Sequence, residues 1–328
     1  MSGLRLGIVG ATGEVGRKMV KLLEDSKLRV SELRLFATER SAGTRLKFRE
    51  SEITVEKTDE DKMKLGFDYL LFSAGASTSK RYAPIAVEHG TTVIDNSSAF
   101  RMEKEIPLVV PEINGDLLKD YFGIIANPNC STIQMVLSLH RIHRKFGVKK
   151  IVITTLQSVS GAGRKGINEL MRQMEGDEKN EIFPKPIKFN VIPLIGSIDE
   201  NGFCTEEMKL VNETRKILGD ESIEVVATTV RVPVIYGHSE SIYVELEKEI
   251  SSLDELKDTM CEEERIVFSK DIVTPIEIAD TDEVYISRIR MLDERRFVFW
   301  NVADNIRVGA ATNAVKILEK HLELNRKG

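Results

Sequence analysis

The chain has 328 residues, a formal net charge of −5, 41% hydrophobic residues and 30% charged residues. This length favours two domains, the composition is typical of a soluble globular protein, and the negative charge argues against nucleic acid as a partner. Its three cysteines are widely separated without a CxxC pair, which argues against a disulfide framework or a metal site. With neither a signal peptide nor a membrane-length apolar run, the sequence predicts a cytoplasmic protein without a membrane partner.

The N-terminal region predicts a nucleotide-binding loop. A short apolar strand, residues 4–9, runs into the glycine-rich stretch 10–16 (GATGEVG) and then into an amphipathic helix. Glycines between a strand and a helix let the backbone approach a pyrophosphate, which the helix N-terminus stabilises. The spacing Gly10-x-x-Gly13-x-x-Gly16 differs from the commonest dinucleotide fingerprint, so a purely structural glycine turn is the alternative.

The end of the second predicted strand, residues 33–37, bears on the choice of cofactor. At this place in a dinucleotide-binding domain an acidic residue binds the ribose 2′-hydroxyl of NAD, whereas arginine accommodates the 2′-phosphate of NADP. Arg40 with the hydroxyls of Thr38 and Ser41 forms a candidate phosphate-binding turn, so we expect NADP(H). Glu39 is the competing NAD-type acid and leaves that alternative open.

Two further buried strands are predicted at residues 68–72 and 92–94. The first is followed by Ser73 and Gly75, which permit close contact with a ribose or a nicotinamide, although both are also ordinary loop residues. The second leads to Arg101, either a ligand of a substrate phosphate or carboxylate or a member of a surface ion pair. The alternation of strands and helices predicts a doubly wound, mostly parallel sheet.

Residues 127–132 (NPNCST) join an apolar strand, residues 123–126, to a segment with apolar residues at helical spacing. Pro128 disfavours helical geometry at Asn127, and the polar residues around Cys130 can cap a first turn, so this cysteine is predicted at a helix N-terminus. There the helix dipole favours a thiolate, which can attack a carbonyl while backbone N–H groups hold the oxyanion. The alternative is a small buried hydrophobic side chain.

The second half of the chain is less regular. A long strand, residues 151–159, carries Gln157 near its end. Residues 176–204 hold three prolines and no sustained period, which predicts an extended excursion, either a subunit contact or a lid. A helix is predicted over residues 205–218, with Thr205 as its N-cap.

A predicted strand at residues 225–230 leads to Arg231 and, seven residues later, to His238. Pro233 and Gly237 allow a bend that brings both side chains to one pocket, where arginine can bind a carboxylate and histidine can transfer a proton. A structural histidine is the alternative. Later strands, expected to form a second, mixed or largely antiparallel sheet before a final amphipathic helix, cover residues 242–246, 284–289 and 297–302.

These segments together resemble the aspartate-β-semialdehyde dehydrogenase family, and the resemblance extends over essentially the whole chain. Each motif is weak alone, but their order and spacing are specific in combination. The motifs are GATGEVG at 10–16, FSAG at 72–75, DNSS at 95–98, NPNCST at 127–132, QSVSGAG at 157–163, RVPV at 231–234, GHS at 237–239, DN at 304–305 and GAATNA at 309–314.

The resemblance implies roles for individual residues. Cys130 resembles the nucleophile, Gln157 the residue that orients the substrate or acyl intermediate, and His238 the acid/base. Arg231 resembles the clamp for the substrate α-carboxylate, and Glu206 the contact for its amino group. The residues implied to bind the substrate phosphate are Arg101, Asn129 and Lys209. The implied cofactor-binding residues are Gly10, Thr12, Gly13, Glu14, Val15, Thr38, Arg40, Ser41, Ser73, Gly75, Ser160, Gly161 and Asn305.

The same resemblance implies the fold and the reaction. The fold is α/β, with a Rossmann-like doubly wound parallel sheet in residues 1–127, completed by a C-terminal helix at 309–328, and an α+β catalytic and dimerisation domain with a mixed sheet in residues 128–308. The implied reaction is the NADPH-dependent reductive dephosphorylation of L-aspartyl-4-phosphate to L-aspartate 4-semialdehyde through a cysteine thioester. This step belongs to the biosynthesis of lysine, methionine, threonine and isoleucine, and the implied assembly is a homodimer or a dimer of dimers.

Two other functions compete with this interpretation. One is a related reductase that acts on N-acetyl-γ-glutamyl phosphate or malonyl-CoA and shares the Cys–His chemistry. Glu206, Lys209 and Arg231 favour the free aspartyl substrate, because its amino and carboxylate groups need opposite charges, although Glu206 and Lys209 also have the i, i+3 spacing of an ordinary surface pair. The other is a non-catalytic NADP-binding protein, which would need neither Cys130 nor His238.

Overall fold

The computed structural model describes residues 3–325 of the chain. Residues 1–2 of the predicted first domain and residues 326–328 of the predicted C-terminal segment lie outside the described residues. In chain order the strands are β1 (Leu4–Val9), β2 (Val30–Ala37), β3 (Arg45–Phe48), β4 (Ser51–Thr54), β5 (Glu56–Lys57), β6 (Tyr69–Phe72), β7 (Thr92–Asp95), β8 (Ile124–Ala126), β9 (Val148–Gln157), β10 (Glu224–Arg231), β11 (His238–Leu246), β12 (Ile266–Phe268), β13 (Val284–Met291) and β14 (Arg296–Ala303). The helices are α1 (Glu14–Asp25), α2 (Glu60–Met63), α3 (Ala76–Glu88), α4 (Pro111–Asn114), α5 (Cys130–Phe146), α6 (Gly163–Met174), α7 (Thr205–Leu218), α8 (Leu253–Cys261) and α9 (Thr312–Asn325).

One unit comprises the described residues up to Pro128 together with those from Ala310 onward. Its six-stranded sheet has the order β5-β2-β1-β6-β7-β8, and every pair of neighbouring strands is parallel. Helices α1 and α9 pack on one face of this sheet and α3 on the other. Because both faces are covered, β6 is apolar and buried along its whole length. The predicted doubly wound parallel sheet is confirmed.

The C-terminal helix α9 is held in the first unit by polar contacts as well as by its apolar face. The Nε2 atom of His321 donates to the carbonyl oxygen of Tyr121 at 2.6 Å, and its Nδ1 contacts the hydroxyl of Tyr69 at 2.7 Å. Asn313 donates to the side-chain oxygen of Asn127 at 2.7 Å. Helix α9, in the last part of the sequence, therefore packs on a sheet whose first strand is in the opening part, and no local sequence pattern predicts this contact.

The other unit comprises Asn129–Gly309. Its six-stranded sheet has the order β10-β9-β11-β14-β13-β12 and mixes parallel with antiparallel pairs, as predicted. Helix α5 contacts β9, β11 and β14 on one face. Inward residues of β9 such as Ile151 and Ile153 are buried, whereas Val152 between them is 37% exposed. One face of this sheet is thus covered by helices, and the opposite face is partly open in the single chain.

Some elements and boundaries differ from the sequence prediction. Helix α7 does begin at Thr205, but the N-cap is Cys204, whose backbone N–H donates to Glu207 at 2.8 Å. Strand β9 ends at Gln157 because the chain turns there into a short 3-10 helix, Val159–Ala162. The hairpin β3–β4, the strands β5 and β12, and the helices α2, α4 and α8 are short elements that the periodicity did not indicate. Within residues 3–325, no helix is long and apolar enough to cross a membrane, and no cluster of His, Cys, Asp or Glu is suited to a metal ion.

Candidate active site

Cys130 is the first residue of α5, as the NPNCST motif predicts. The side chain of Asn129 caps this helix by accepting hydrogen bonds from the backbone N–H groups of Ser131 and Thr132, at 3.1 and 3.4 Å. The thiol of Cys130 is reduced and partly exposed. A Cβ placed on Gly309 would lie 2.5 Å from the Cβ of Cys130 and 2.8 Å from its Cα, so only glycine allows this close approach. The nucleophile candidate is therefore positioned by a helix cap on one side and by a glycine on the other.

Helix α7 supplies a buried acidic group to the same region. Glu206 is 5% exposed, and one of its carboxylate oxygens accepts hydrogen bonds from Asn129 at 2.9 Å and from Gln157 at 3.1 Å. Its other oxygen accepts one from Lys209 at 2.8 Å. Two turns further along the helix, Glu213 accepts the backbone N–H of Asn129 at 2.6 Å. Glu206 and Lys209 are thus more than an ordinary surface pair, because Glu206 connects the start of α5 to the end of β9.

The charge of Glu206 is maintained despite its burial. Burial alone opposes the charged carboxylate, but the ammonium group of Lys209 and the amide donors of Asn129 and Gln157 outweigh it and lower the pKa of Glu206 to about 2. The carboxylate is therefore an anion at neutral pH. An anion with a fixed hydrogen-bond network can bind a substrate ammonium group without having to lose a proton first.

Arg231 ends β10 and His238 begins β11, and a turn at Gly237 with a φ angle of +88° connects them. Arg231 donates from Nη1 to the carbonyl oxygen of Ser158 at 2.6 Å. The backbone N–H of Ser158 in turn donates to Nδ1 of His238 at 3.1 Å. A Cβ on Gly161 would lie 2.8 Å from Nη1 of Arg231 and 3.5 Å from Nε2 of His238. The predicted bend is present, and both side chains meet at the turn after β9.

The environment of His238 determines its protonation. Because Nδ1 accepts a backbone hydrogen bond, the neutral ring carries its proton on Nε2, which lies 3.4 Å from the Gln157 side-chain nitrogen. Complete burial and the positive charge of Arg231 lower the pKa of His238 to about 3. His238 is therefore a neutral imidazole at physiological pH. Burial likewise lowers the pKa of Arg231, although the negative charge of Glu206 opposes this effect.

Ser158 is a residue that the sequence analysis did not single out. Besides its backbone contacts with Arg231 and His238, its hydroxyl lies 3.1 Å from the side-chain oxygen of Asn305. That same oxygen accepts from the hydroxyl of Ser160 at 3.2 Å and from the N–H of Gly237 at 2.9 Å. Asn305 and Ser160, both predicted to contact the cofactor, thus form a hydrogen-bonded cluster that supports His238. The only sequence signal for Ser158 was its place inside the QSVSGAG motif.

The remaining predicted residues lie in the first unit, after the carboxyl ends of neighbouring parallel strands. Residues 10–16 follow β1, residues 38–41 follow β2, Ser73 and Gly75 follow β6, and Arg101 lies beyond β7. In open parallel sheets this edge is where ligands bind. Arg101 is buried and donates to the carbonyl oxygen of Asn96 at 2.8 Å.

The loop after β1 fits a dinucleotide. Gly10 has a φ angle of +87°, and a Cβ there would lie 2.5 Å from the carbonyl oxygen of Ser73, so glycine is required. At Gly16 a Cβ would lie 2.3 Å from the carbonyl oxygen of Gly10, which explains the last glycine of the motif. At Gly75 nothing lies within 4 Å of such a Cβ, which leaves open space for a ligand. A glycine turn at the N-terminus of α1 beside open space suits a pyrophosphate.

The turn after β2 contains both of the charged residues, Glu39 and Arg40, on which the sequence-based prediction of the cofactor rests. Thr38 and Arg40 are exposed, and Ser41 ends a short 3-10 helix that begins at Glu39. Glu39 forms an ion pair with Lys57 of β5. A 2′-phosphate at this turn would therefore meet the guanidinium of Arg40, while the charge of Glu39 is balanced by a neighbouring lysine.

A parallel sheet with a glycine loop, followed by a mixed-sheet domain that holds a thiol, an imidazole and a guanidinium, is consistent with a semialdehyde dehydrogenase. Family profiles agree with this class: "Semialdehyde dehydrogenase, NAD binding domain" matches residues 5–121, and "Semialdehyde dehydrogenase, dimerisation domain" matches residues 139–308.

Individual relatives identify the family within this class. The aspartate-semialdehyde dehydrogenase of Aquifex aeolicus is 49% identical over 97% of both chains. The crystal structure of aspartate semialdehyde dehydrogenase II from Vibrio cholerae, complexed with ASA, has a TM-score of 0.95 at 40% identity and covers 99% of this chain and 100% of that one. The aspartate semialdehyde dehydrogenase of Candida albicans, solved with NADP, has a TM-score of 0.77 at 26% identity, with 98% and 99% coverage. The chain belongs to the aspartate-semialdehyde dehydrogenase family of oxidoreductases.

Proposed function

We propose that this chain catalyses the NADPH-dependent reductive dephosphorylation of L-aspartyl-4-phosphate to L-aspartate 4-semialdehyde, in the biosynthesis of lysine, methionine, threonine and isoleucine. The observation that carries the proposal is the pair of buried opposite charges, Glu206 and Arg231, in the unit that holds Cys130. An aspartyl substrate has an ammonium and a carboxylate on the same carbon. A buried anion and a buried cation are the groups that would bind these two charges.

The chemistry begins at Cys130. Its thiolate attacks the acyl carbon of the substrate, the bond from that carbon to the phosphate oxygen breaks, and inorganic phosphate leaves a thioester on the sulfur. When bound, NADPH supplies the hydride that reduces this thioester. The carbon–sulfur bond of the resulting hemithioacetal then breaks, which releases the aldehyde and restores the thiolate. A thiol suits these steps because its thioester remains electrophilic.

The proton steps are assigned to His238 and the orientation to Gln157. The neutral imidazole with its proton on Nε2 can donate a hydrogen bond to the oxyanion that hydride transfer to the thioester would create, and this oxyanion re-forms the carbonyl as the carbon–sulfur bond breaks. Gln157 is held by Glu206 and accepts a hydrogen bond from Thr155 at 2.9 Å, so its amide is fixed before the substrate binds. We assign phosphate binding to Arg101, Asn129 and Lys209, which offer two cations and an amide for a dianion.

We propose NADP(H) as the cofactor. Residues 10–16 would bind its pyrophosphate, and Thr38, Arg40 and Ser41 would bind its 2′-phosphate. The ion pair between Glu39 and Lys57 supports this choice, because a paired Glu39 repels a phosphate less than an unpaired one. The Candida albicans relative was solved with NADP, which agrees with the assignment. Ser73 and Gly75 remain candidates for the nicotinamide side, together with Gly161.

We also propose that the active protein is a homodimer or a dimer of dimers. The support is the match of residues 139–308 to a dimerisation domain and the partly open face of the mixed sheet. On that face Val152 is 37% and Val226 is 43% exposed on neighbouring parallel strands. A second copy of the chain is the proposed occupant of this face. Light scattering should give at least twice the monomer mass for the wild type and a monomer after Val152→Lys with Val226→Lys.

The central experiment measures the absorbance of reduced nicotinamide while the protein oxidises L-aspartate semialdehyde with NADP⁺, with and without inorganic phosphate. We expect phosphate-dependent reduction that falls by more than about 10³-fold in Cys130→Ser, because a hydroxyl lacks the thiolate's nucleophilicity. Cys204→Ser and Cys261→Ser are the matched controls and should retain activity. Near-native activity in Cys130→Ser would contradict the thioester route. If the protein turns over only a CoA thioester or an acetylated glutamyl substrate, its function is that of a related reductase. If it binds NADP⁺ but turns over none of these substrates, it is a non-catalytic protein.

A further inference from the structure

The excursion at residues 176–204, which the sequence left open between a lid and a subunit contact, has no helix or strand of its own. It is nevertheless tied to the second unit at defined points. Ile192 and Arg231 exchange both backbone hydrogen bonds, at 2.9 and 2.8 Å. The segment therefore runs beside the residue that we assign as the carboxylate clamp.

Two buried side chains of α6 hold the first part of this excursion. The carboxylate of Glu169 accepts the backbone N–H groups of residues 181–183, at 2.8, 2.6 and 3.2 Å. The side-chain oxygen of Gln173 accepts those of residues 187–188, at 2.8 and 3.1 Å. Five backbone donors that would otherwise need a sheet or water are satisfied in this way. An irregular segment bound at so many points has a fixed course.

This course places the ring of Phe183 against Arg231. The centre of the guanidinium lies 5.8 Å from the ring centroid, within the range of a cation–π contact. Phe183 is 7% exposed and Arg231 is 6% exposed, so the contact is largely removed from water. A Cβ on Gly166 would lie 3.1 Å from the Cζ atom of Phe183, so the glycine leaves the space that the tip of the ring occupies.

A ring is a useful neighbour for a guanidinium that must bind a carboxylate. It stabilises and orients the positive charge without accepting any of its N–H donors. A protein carboxylate at the same place would neutralise the charge and compete with the substrate. The hydrogen bond from Nη1 of Arg231 to the carbonyl oxygen of Ser158 fixes one of the two terminal nitrogens of the guanidinium.

We propose that Phe183, whose segment is held by Glu169 and Gln173, is a positioning residue that orients the guanidinium of Arg231 and so sets the affinity for the substrate's α-carboxylate. This inference rests on the proposed function, in which Arg231 binds that carboxylate. In this proposal the irregular segment is part of the substrate site, because it holds Phe183 against Arg231. A pre-oriented clamp avoids part of the ordering cost of binding.

The test compares Phe183→Leu with the wild type in the phosphate-dependent oxidation of L-aspartate semialdehyde. Leucine keeps the apolar packing but removes the ring. We expect KM for the semialdehyde to rise roughly 5- to 30-fold, because one desolvated cation–π contact is lost. KM for phosphate and kcat should change by less than about 2-fold. Replacing Phe183 by meta-difluorinated phenylalanine leaves the crowded Cζ position unchanged and weakens only the π-electron density. It should raise the same KM by a smaller factor.

Phe189→Leu is the matched control, because Phe189 lies on the same segment, is 81% exposed and contacts Lys188 instead, at 5.4 Å. It should leave every kinetic constant unchanged. In an Arg231→Leu background, Phe183→Leu should raise KM no further, because the two residues act through one contact. An unchanged KM in both Phe183 variants, or full additivity with Arg231→Leu, overturns the inference while the proposed function stands. Absence of turnover in the wild type overturns the proposed function and the inference together.

Discussion

The two units form their candidate sites in different ways. In the first unit the site consists mainly of backbone: glycines at 10, 13 and 16 where β1 passes into α1, with small residues at the ends of the neighbouring strands. In the second unit it consists of side chains from four separate segments, namely the start of α5, the end of β9, α7 and the turn between β10 and β11. A backbone site needs space and particular φ angles, whereas a side-chain site needs charges held in place. The two units should therefore respond to different substitutions.

Removing the cationic clamp of the side-chain site should have the largest effect among these comparisons. Arg231→Leu removes one of the positive charges near Glu206 and, with it, the proposed partner of the substrate carboxylate. We expect KM for the semialdehyde to rise by about 10²-fold or more with little change in KM for NADP⁺, since truncating one partner of a buried charge pair costs about 2–5 kcal/mol. Steady-state kinetics with each substrate varied in turn would measure this. An unchanged dependence on the semialdehyde would rule out the clamp.

Adding a single methyl group at a glycine distinguishes the two units directly. Gly10→Ala should raise KM for NADP⁺, because its Cβ would meet the carbonyl of Ser73, whereas Gly309→Ala should lower kcat, because its Cβ would displace Cys130. Each change should be about 10-fold or more, on the order of the 10²-fold cost of a 1 Å misplacement.

Gly219→Ala is the control for backbone strain alone, because Gly219 has a φ angle of +70° but nothing within 4 Å of the place that an added methyl group would take. It should cost about 1 kcal/mol of unfolding free energy and leave the kinetics unchanged. The opposite pattern, with Gly309→Ala affecting only NADP⁺ binding, would contradict the assignment of Gly309 to the surroundings of Cys130.

Cofactor preference should respond to a smaller change in the first unit. Arg40→Ala removes the proposed partner of the 2′-phosphate, and we expect the ratio of kcat/KM for NADP⁺ to that for NAD⁺ to fall about 10-fold, close to the roughly 1.4 kcal/mol of one exposed charge-assisted contact. Arg45→Ala is a suitable control, since Arg45 is an exposed arginine of the nearby hairpin, paired with Glu52. An equal loss with both cofactors would place Arg40 outside the 2′-phosphate site.

The pH dependence of stability should report on the buried anion. The pKa of Glu206 is about 2 in the folded chain and near 4.5 when unfolded, so its stabilising effect is complete above pH 4.5 and is lost as the pH falls towards 2. Glu206→Gln should remove this part of the slope, at most about 3 kcal/mol, which urea unfolding at a series of pH values would measure. His238 makes a separate contribution, because its pKa is lowered to about 3 in the folded chain. The free energy of unfolding should therefore still fall between pH 6.5 and pH 3 in Glu206→Gln. An identical slope in both proteins below pH 4.5 would show that Glu206 is not held as an anion.

Local patterns predicted more of the first unit than of the second. At residues 4–25 the strand, the glycine turn and the helix follow one another directly along the chain, so the local sequence is enough to predict their arrangement. The NPNCST motif placed Cys130 correctly for the same reason. Short polar elements such as the hairpin β3–β4 were missed, since a few charged residues with weak periodicity fit a loop equally well. The N-cap at Cys204 was missed because cysteine is not a usual capping residue.

By itself, the sequence determined the order of the longer helices and strands, the glycine loop, the helix that begins at Cys130 and the set of residue types for the chemistry. Only the tertiary structure decided which of these side chains meet. The link from Glu206 to Asn129 and Gln157 spans 77 and 49 residues, and the contact of Phe183 with Arg231 depends on backbone N–H groups bound by α6. Hydrogen bonds and charge pairs of this kind depend on distances in space, and sequence periodicity reports only on neighbours along the chain.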